Sequence, residues 1–186
     1  MATTPATDTL TELVLEVFRL NGRMIASGDS LVAKIGLTSA RWQVLGAIAL
    51  HAGPAPVVRI ADKMGLTRQS VQRIVDALEQ KGLVAFRTNP HHKRAQLVAL
   101  TARGTALLQS AMRLQKPWAA RLAVGVDARS LQVALSVLTT LRHRLEGQGN
   151  LENDHDHHVS RTGNRGRLHR RRRLRQLGRT AGAAGA

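Results

Sequence analysis

The residues GLTRQSVQRIVDALEQKGLVAFRTNPHHKRAQLVALT, Gly65 to Thr101, decide how this chain is read. Thr67 stands where an N-cap belongs, its hydroxyl able to accept a free backbone N–H of the first helical turn. Val71, Ile74, Val75 and Leu78 then recur at spacings of three and four and mark one apolar face, and Gly82 supplies the stop. The first two turns leave Arg68, Gln69, Ser70, Gln72 and Arg73 on the other face, with no acidic residue before Asp76. Arginine pairs well with guanine and glutamine with adenine in the major groove, and a helix N-terminus is attractive to phosphate. The pattern predicts a helix that reads duplex DNA through Thr67, Arg68, Gln69, Ser70, Gln72 and Arg73.

Behind that helix, 83–87 and 95–100 are short β-compatible runs joined by a turn-forming segment that is basic at its tip. Such a hairpin holds Arg87, His92, Lys93 and Arg94 away from the body, within reach of phosphates or a narrow minor groove. Ahead of it, 57–64 predicts a short helix with Val57, Ile60, Ala61 and Met64 turned inward, and the Gly65 turn makes the two helices a helix-turn-helix. Further back, His51 to Pro56 reads as a surface loop, and Thr38 or Ser39 opens a helix with Trp42, Leu45, Ile48 and Ala49 on one face.

The flanks are helical too. From Thr7 onward, positions 10, 13, 14, 17, 21 and 24 form a stripe broken only by Asn21, a surface for the chain's own core or for a second subunit. Thr101 caps a long helix that Pro117 is expected to end or bend just before Trp118. After the break at Gly125, Asp127 caps a last helix whose Leu131, Leu135, Leu138, Leu141 and Leu145 nearly follow a heptad. These leucines exceed what a small wing domain needs for its core, so the first and last helices are read as a dimerisation face.

A formal net charge of +16 favours anionic partners, and residues 1–149 already carry 19 basic against 9 acidic residues. With no cysteine, disulfides and thiolate metal sites are excluded. No apolar run is long enough to span a bilayer and the N-terminus is acidic where a signal peptide would be basic, so a soluble, cytoplasmic protein with no membrane partner is expected. The chain holds no Ser-His-Asp arrangement, no Gly-rich phosphate loop and no HExxH, so catalysis is not expected and neither is a cofactor.

The run from Leu37 to Gly104 resembles the MarR-type (multiple antibiotic resistance regulator) family of winged helix-turn-helix transcription factors. The matching residues are Leu37-Thr38, Trp42, Val44-Leu45, Ile60-Ala61, Met64-Gly65, then Ser70-Val71, Ile74-Val75, Leu78-Glu79, Gly82-Leu83-Val84, Asn89-Pro90, Arg94-Ala95, Leu100-Thr101 and Gly104. With the flanking helices the likeness covers residues 7–146, with a DNA-binding core at 38–101. It implies a mainly α fold with a small β-hairpin wing, and a homodimer whose reading helices enter successive major grooves of a pseudo-palindromic operator, with half-sites about one helical turn apart. It also implies Arg94 as the wing arginine. His92 replaces the acidic residue that the family usually carries two places before that arginine, which adds a group able to become cationic in mild acid. The family often senses small aromatic or phenolic effectors, and Met24, Trp42, His51 and Met112 are placed to line such a pocket.

The segment 147–186 is basic and poor in apolar residues, so it is expected to be disordered. Its Asp154-His155-Asp156-His157-His158 has metal-ligand residue types without a scaffold, and no metal site is assigned. Its Arg170 to Arg173 adds phosphate contacts without sequence preference if it binds DNA. The expected function is a sequence-specific double-stranded-DNA-binding regulator, a repressor released by an effector. The alternative is a less specific DNA-architectural, nucleoid-type protein; a winged helix used for protein contacts would not need Arg68, Gln69, Gln72 and Arg73 together.

Overall fold

In the computed structural model the described residues are 4–90 and 95–147. They fall into two units, one ending at Val124 and one beginning at Gly125. The first contains α1 (Pro5–Val32), a 3-10 turn (Ala33–Ile35), α2 (Ser39–Ala49), β1 (Ala55–Pro56), α3 (Val57–Met64), α4 (Arg68–Gln80), β2 (Val84–Arg87), β3 (Leu97–Leu100) and α5 (Ala102–Leu122).

The core is organised on α2. Trp42, Val44, Leu45, Ala47 and Ile48 are all buried, and the helix packs against α1, α3, α4, α5 and β3. A helix apolar around its circumference belongs in the middle of a core. The expected inward face was therefore too narrow: Ala49 is exposed, while Val44 and Ala47 are inside. Thr38 caps this helix by accepting from the Arg41 N–H at 3.3 Å.

The helix-turn-helix forms as the spacing predicts. In α3, Val57, Ile60 and Ala61 are buried and Met64 half-buried; in α4, Val71, Val75 and Leu78 are buried. Gly65 closes α3 at φ +63°, a left-handed turn that a side chain rarely adopts, and Gly82 does the same after α4 at φ +65°.

The sheet differs from a simple hairpin. It has three strands in the order β1-β3-β2, all antiparallel, with Ala55 opposite Val98 and Pro56 opposite Leu97. The stretch expected to be surface loop thus supplies an edge strand, with Ala55 buried and Pro56 at the edge, where a missing N–H does not break a ladder. In the hairpin itself Val84 faces Leu100 and Arg87 faces Leu97.

The first helix begins at Pro5, and only Gly28 and Val32 within it are buried. Within the stripe Leu10 and Val14 are 40% exposed and Met24 42%, with Leu13 and Val17 half-buried, so the stripe of α1 is not packed into the core. Pro117 does not end α5, which runs to Leu122; the proline lies on the exposed side of the helix, where a lost backbone hydrogen bond can be made up by water.

The second unit contains a helix over 128–147, here α6. The Asp127 carboxylate caps it by accepting from the Ser130 N–H at 2.9 Å. These hydrogen bonds to Ser130 hold the Asp127 pKa below the ordinary aspartate value. Leu131, Leu135, Leu138 and Leu145 are exposed along it. The expectations placed on His92, Lys93, Arg94, the Asp154–His158 cluster and the basic tail beyond residue 147 lie outside the described residues.

Candidate nucleic-acid interface and ligand cavity

The two helices α3 and α4 are locked at a short turn. Leu66 N–H donates to the Ala61 carbonyl oxygen at 3.1 Å and Gly65 N–H to that of Asp62 at 3.2 Å, so α4 starts directly beside the end of α3. Thr67 accepts from the Ser70 N–H at 3.2 Å, and its own hydroxyl donates to Ser70 Oγ at 2.9 Å. This pair completes the helix cap. Both side chains remain exposed beside it.

Arg68, Gln69 and Arg73 stand exposed on α4, and among the described residues neither arginine is held by a carboxylate; the ion pairs there are Arg19–Glu16 and Arg142–Glu146. Gln72 is half-buried and donates its amide N–H to Asp76 Oδ1 at 2.7 Å, which fixes the amide and leaves its carbonyl oxygen as the unpaired acceptor. Arg68 and Gln72 share a groove of about 390 Å³ with Val57, Val58, Phe86 and Gln96, so the first turns of α4 and the base of the sheet form one surface. Arg87 is exposed at the end of β2. Arg59, on α3, is also exposed and was not singled out from the sequence. Its signal was available: in a helix-turn-helix the first helix crosses the DNA backbone, so a free cation there suits a phosphate.

A second concavity of about 420 Å³ lies among α1, α2 and α5. It is lined by Met24, Gly28, Ser39, Trp42, Gln43, Gly46, Met112, Gln115 and Trp118. Met24, Trp42 and Met112 of the expected pocket are brought together here; His51, half-buried on the turn after α2, is not part of the lining. The sequence reading missed Trp118, whose indole N–H donates to Ser27 Oγ at 2.9 Å and ties α5 to α1. Gly28 and Ser39 set the floor, since a Cβ on Gly28 would meet Ser39 Oγ at 2.8 Å.

Residues 35–95 match the model of the MarR family. An uncharacterized protein of Mycobacterium tuberculosis is 38% identical over 125 residues, which cover 67% of this chain and 86% of that protein. The chain belongs to the MarR family. Among solved structures, the transcriptional repressor CouR bound to a 23-mer DNA duplex is similar with a TM-score of 0.64 and 25% identity, over 76% of this chain and 99% of that one. A MarR family transcriptional regulator from Streptomyces coelicolor is similar with a TM-score of 0.62 and 25% identity, over 72% and 93% of the two chains. The three-stranded sheet behind α3 and α4 is thus a MarR winged helix, the fold of DNA-binding transcription regulators. Among the described residues no helix is long and apolar enough to cross a membrane.

Proposed function

We propose that this MarR family member is a homodimeric repressor that binds a pseudo-palindromic operator in bacterial cytoplasm and is released when a small aromatic or phenolic molecule fills the cavity between α1, α2 and α5. The observation that carries the DNA-binding part is the exposed row of Arg68, Gln69 and Arg73 on a capped helix, with its arginines free of carboxylates in a chain of net charge +16. Such cations have no ion pair to break and are open to phosphates and base edges. CouR, seen on a DNA duplex, supports the same use of the fold.

Dimerisation is supported by the uncovered apolar residues of α1, Leu10, Val14, Leu15 and Phe18 among them, and separately by the exposed leucines of α6. A second copy covers such surfaces and supplies the second reading helix that one helix, spanning only a few base pairs, needs for specificity.

Release by a ligand is supported by α5. Its Met112, Gln115 and Trp118 line the cavity, and its first turn is fastened to the segment that follows α4. A ligand that shifts α5 therefore biases the position of the reading helix, provided it binds the two positions unequally.

The test is selection from random duplexes at moderate salt. Enrichment of a pseudo-palindrome with half-sites about one turn apart is the expected result. Enrichment without a common sequence would instead favour the architectural, nucleoid-type reading that the basic excess of the chain also fits.

A further inference from the structure

Resting on the effector reading above, we infer that the cavity selects uncharged aromatic ligands and discriminates against aromatic carboxylates. Its lining has two indole rings, two thioethers, the Ser39 hydroxyl and the amides of Gln43 and Gln115, and no Lys, Arg or His. The nearest favourable place for an anion is the N-terminus of α2, where backbone N–H groups are unpaired and the helix dipole is positive. That place is taken. Asp29, on α1, accepts from the Ser39 N–H at 2.6 Å, so a carboxylate of the protein itself occupies the end of α2 beside the cavity.

Ser39 is both the residue whose N–H holds Asp29 and a wall of the cavity, and it is 3% exposed. An anionic ligand over Ser39 therefore meets the charge of Asp29 rather than a free helix end, with no cation in the lining to offset it. An uncharged ring avoids that repulsion and gains contact with Trp42, Trp118, Met24 and Met112, where ring stacking and sulfur contacts are favourable. Gln43 donates its amide N–H to Ser39 Oγ at 3.0 Å, which leaves its carbonyl oxygen to accept from a ligand N–H or O–H, and the Gln115 amide offers both a donor and an acceptor. A cavity of about 420 Å³ suits a bicyclic aromatic amide or phenol.

The test uses a matched pair of probes, 2-naphthamide and 2-naphthoate, which share shape and differ in charge. Binding is measured by calorimetry at low ionic strength, with quenching of protein fluorescence as a second reading, since the chain's two tryptophans both line the cavity. The amide is expected to bind about fivefold more tightly than the carboxylate, the scale of one like charge at short range when Asp29 is itself open to water. In Asp29→Asn, which keeps an acceptor for the Ser39 N–H and removes the charge, this preference should narrow to about twofold. Equal or tighter binding of naphthoate by the wild-type protein, or a preference unchanged in Asp29→Asn, overturns the inference while leaving the effector reading standing. Binding of neither probe, by protein that still binds its selected duplex, overturns both.

Discussion

The Thr101 hydroxyl donates to the Gly82 carbonyl oxygen across 2.8 Å and fastens the first turn of α5 to the turn that closes α4. The Thr101 hydroxyl oxygen also accepts from the Gly104 N–H at 3.0 Å as the cap of α5, and the Thr101 N–H donates to the Leu83 carbonyl oxygen at 3.1 Å. Thr101→Val keeps the shape and loses the hydroxyl's hydrogen bonds to Gly82, Leu83 and Gly104, so urea unfolding should show a loss of about 1–2 kcal/mol. Gly104 lies so close to the Leu83 carbonyl that a Cβ has no room, and the obstacle is backbone. Gly104→Ala should therefore cost more, about 2–3 kcal/mol, and weaken operator binding as well, because the strain falls between α5 and the wing.

On the reading helix, cap and contact separate by experiment. Thr67→Ala removes the acceptor for the Ser70 N–H and should lower stability by about 1 kcal/mol. Arg68→Ala and Arg73→Ala break no ion pair and should leave stability within about 0.5 kcal/mol. Each should nevertheless weaken operator binding by about 1–3 kcal/mol if it reads a base, with relaxed specificity at one position, or reduce the slope of log K against log salt by about one if it meets a phosphate. Unchanged affinity in both variants would remove α4 as the reading helix.

Trp118→Phe keeps an aromatic wall in the cavity and loses the N–H bond to Ser27. A stability loss of about 1 kcal/mol is expected, together with weaker ligand-induced release from DNA, because α1 and α5 lose a polar tie at the cavity. Comparable release in wild type and variant would show that this tie carries no signal.

Phe18, 68% exposed on α1, is the largest apolar side chain left open on that helix. Phe18→Asp should raise the dimer dissociation constant by about tenfold or more in sedimentation equilibrium, the scale of one buried aromatic anchor. An unchanged dimer would place the interface elsewhere.

Asp127 gives a pH dependence with a definite sign. Its folded pKa is depressed by hydrogen bonds from Ser130, so its contribution to α6 is present above the ordinary aspartate range and is lost as pH falls through the lowered value. Helicity assigned to residues 128–147 should decline on acidification in that window, and Asp127→Asn should flatten the decline. A carboxyl titration by NMR at the unperturbed aspartate position would contradict it.

Much of the reading module was legible because its signals are local. Thr67, Gly65 and Gly82 punctuate α4, and the spacing from Val71 to Leu78 fixes its buried face without reference to the rest of the chain. The strand at Ala55 and Pro56 was not legible, since two residues show no alternation and their pairing with Val98 and Leu97 comes from a segment over forty positions away. The continuation of α5 past Pro117 depends on which side of the helix meets solvent, which the proline itself does not reveal. His51 was grouped with Trp42 although α2 ends at Ala49, so His51 follows the turn after the helix and does not share the cavity face of Trp42. Trp118 was visible as an aromatic residue, but its partner Ser27 is 91 positions distant and carries no signal of its own.

The placement of α2 bears on how this protein can diverge. The helix shows Trp42, Gln43 and Gly46 to the cavity while Val44, Leu45, Ala47 and Ile48 fill the core that also holds α4. Met24 on α1 and Met112 and Gln115 on α5 are outside that double duty, being exposed or half-buried. Exchange of those three residues would therefore reshape the cavity while α2 stays fixed and the packing of α4 is left intact.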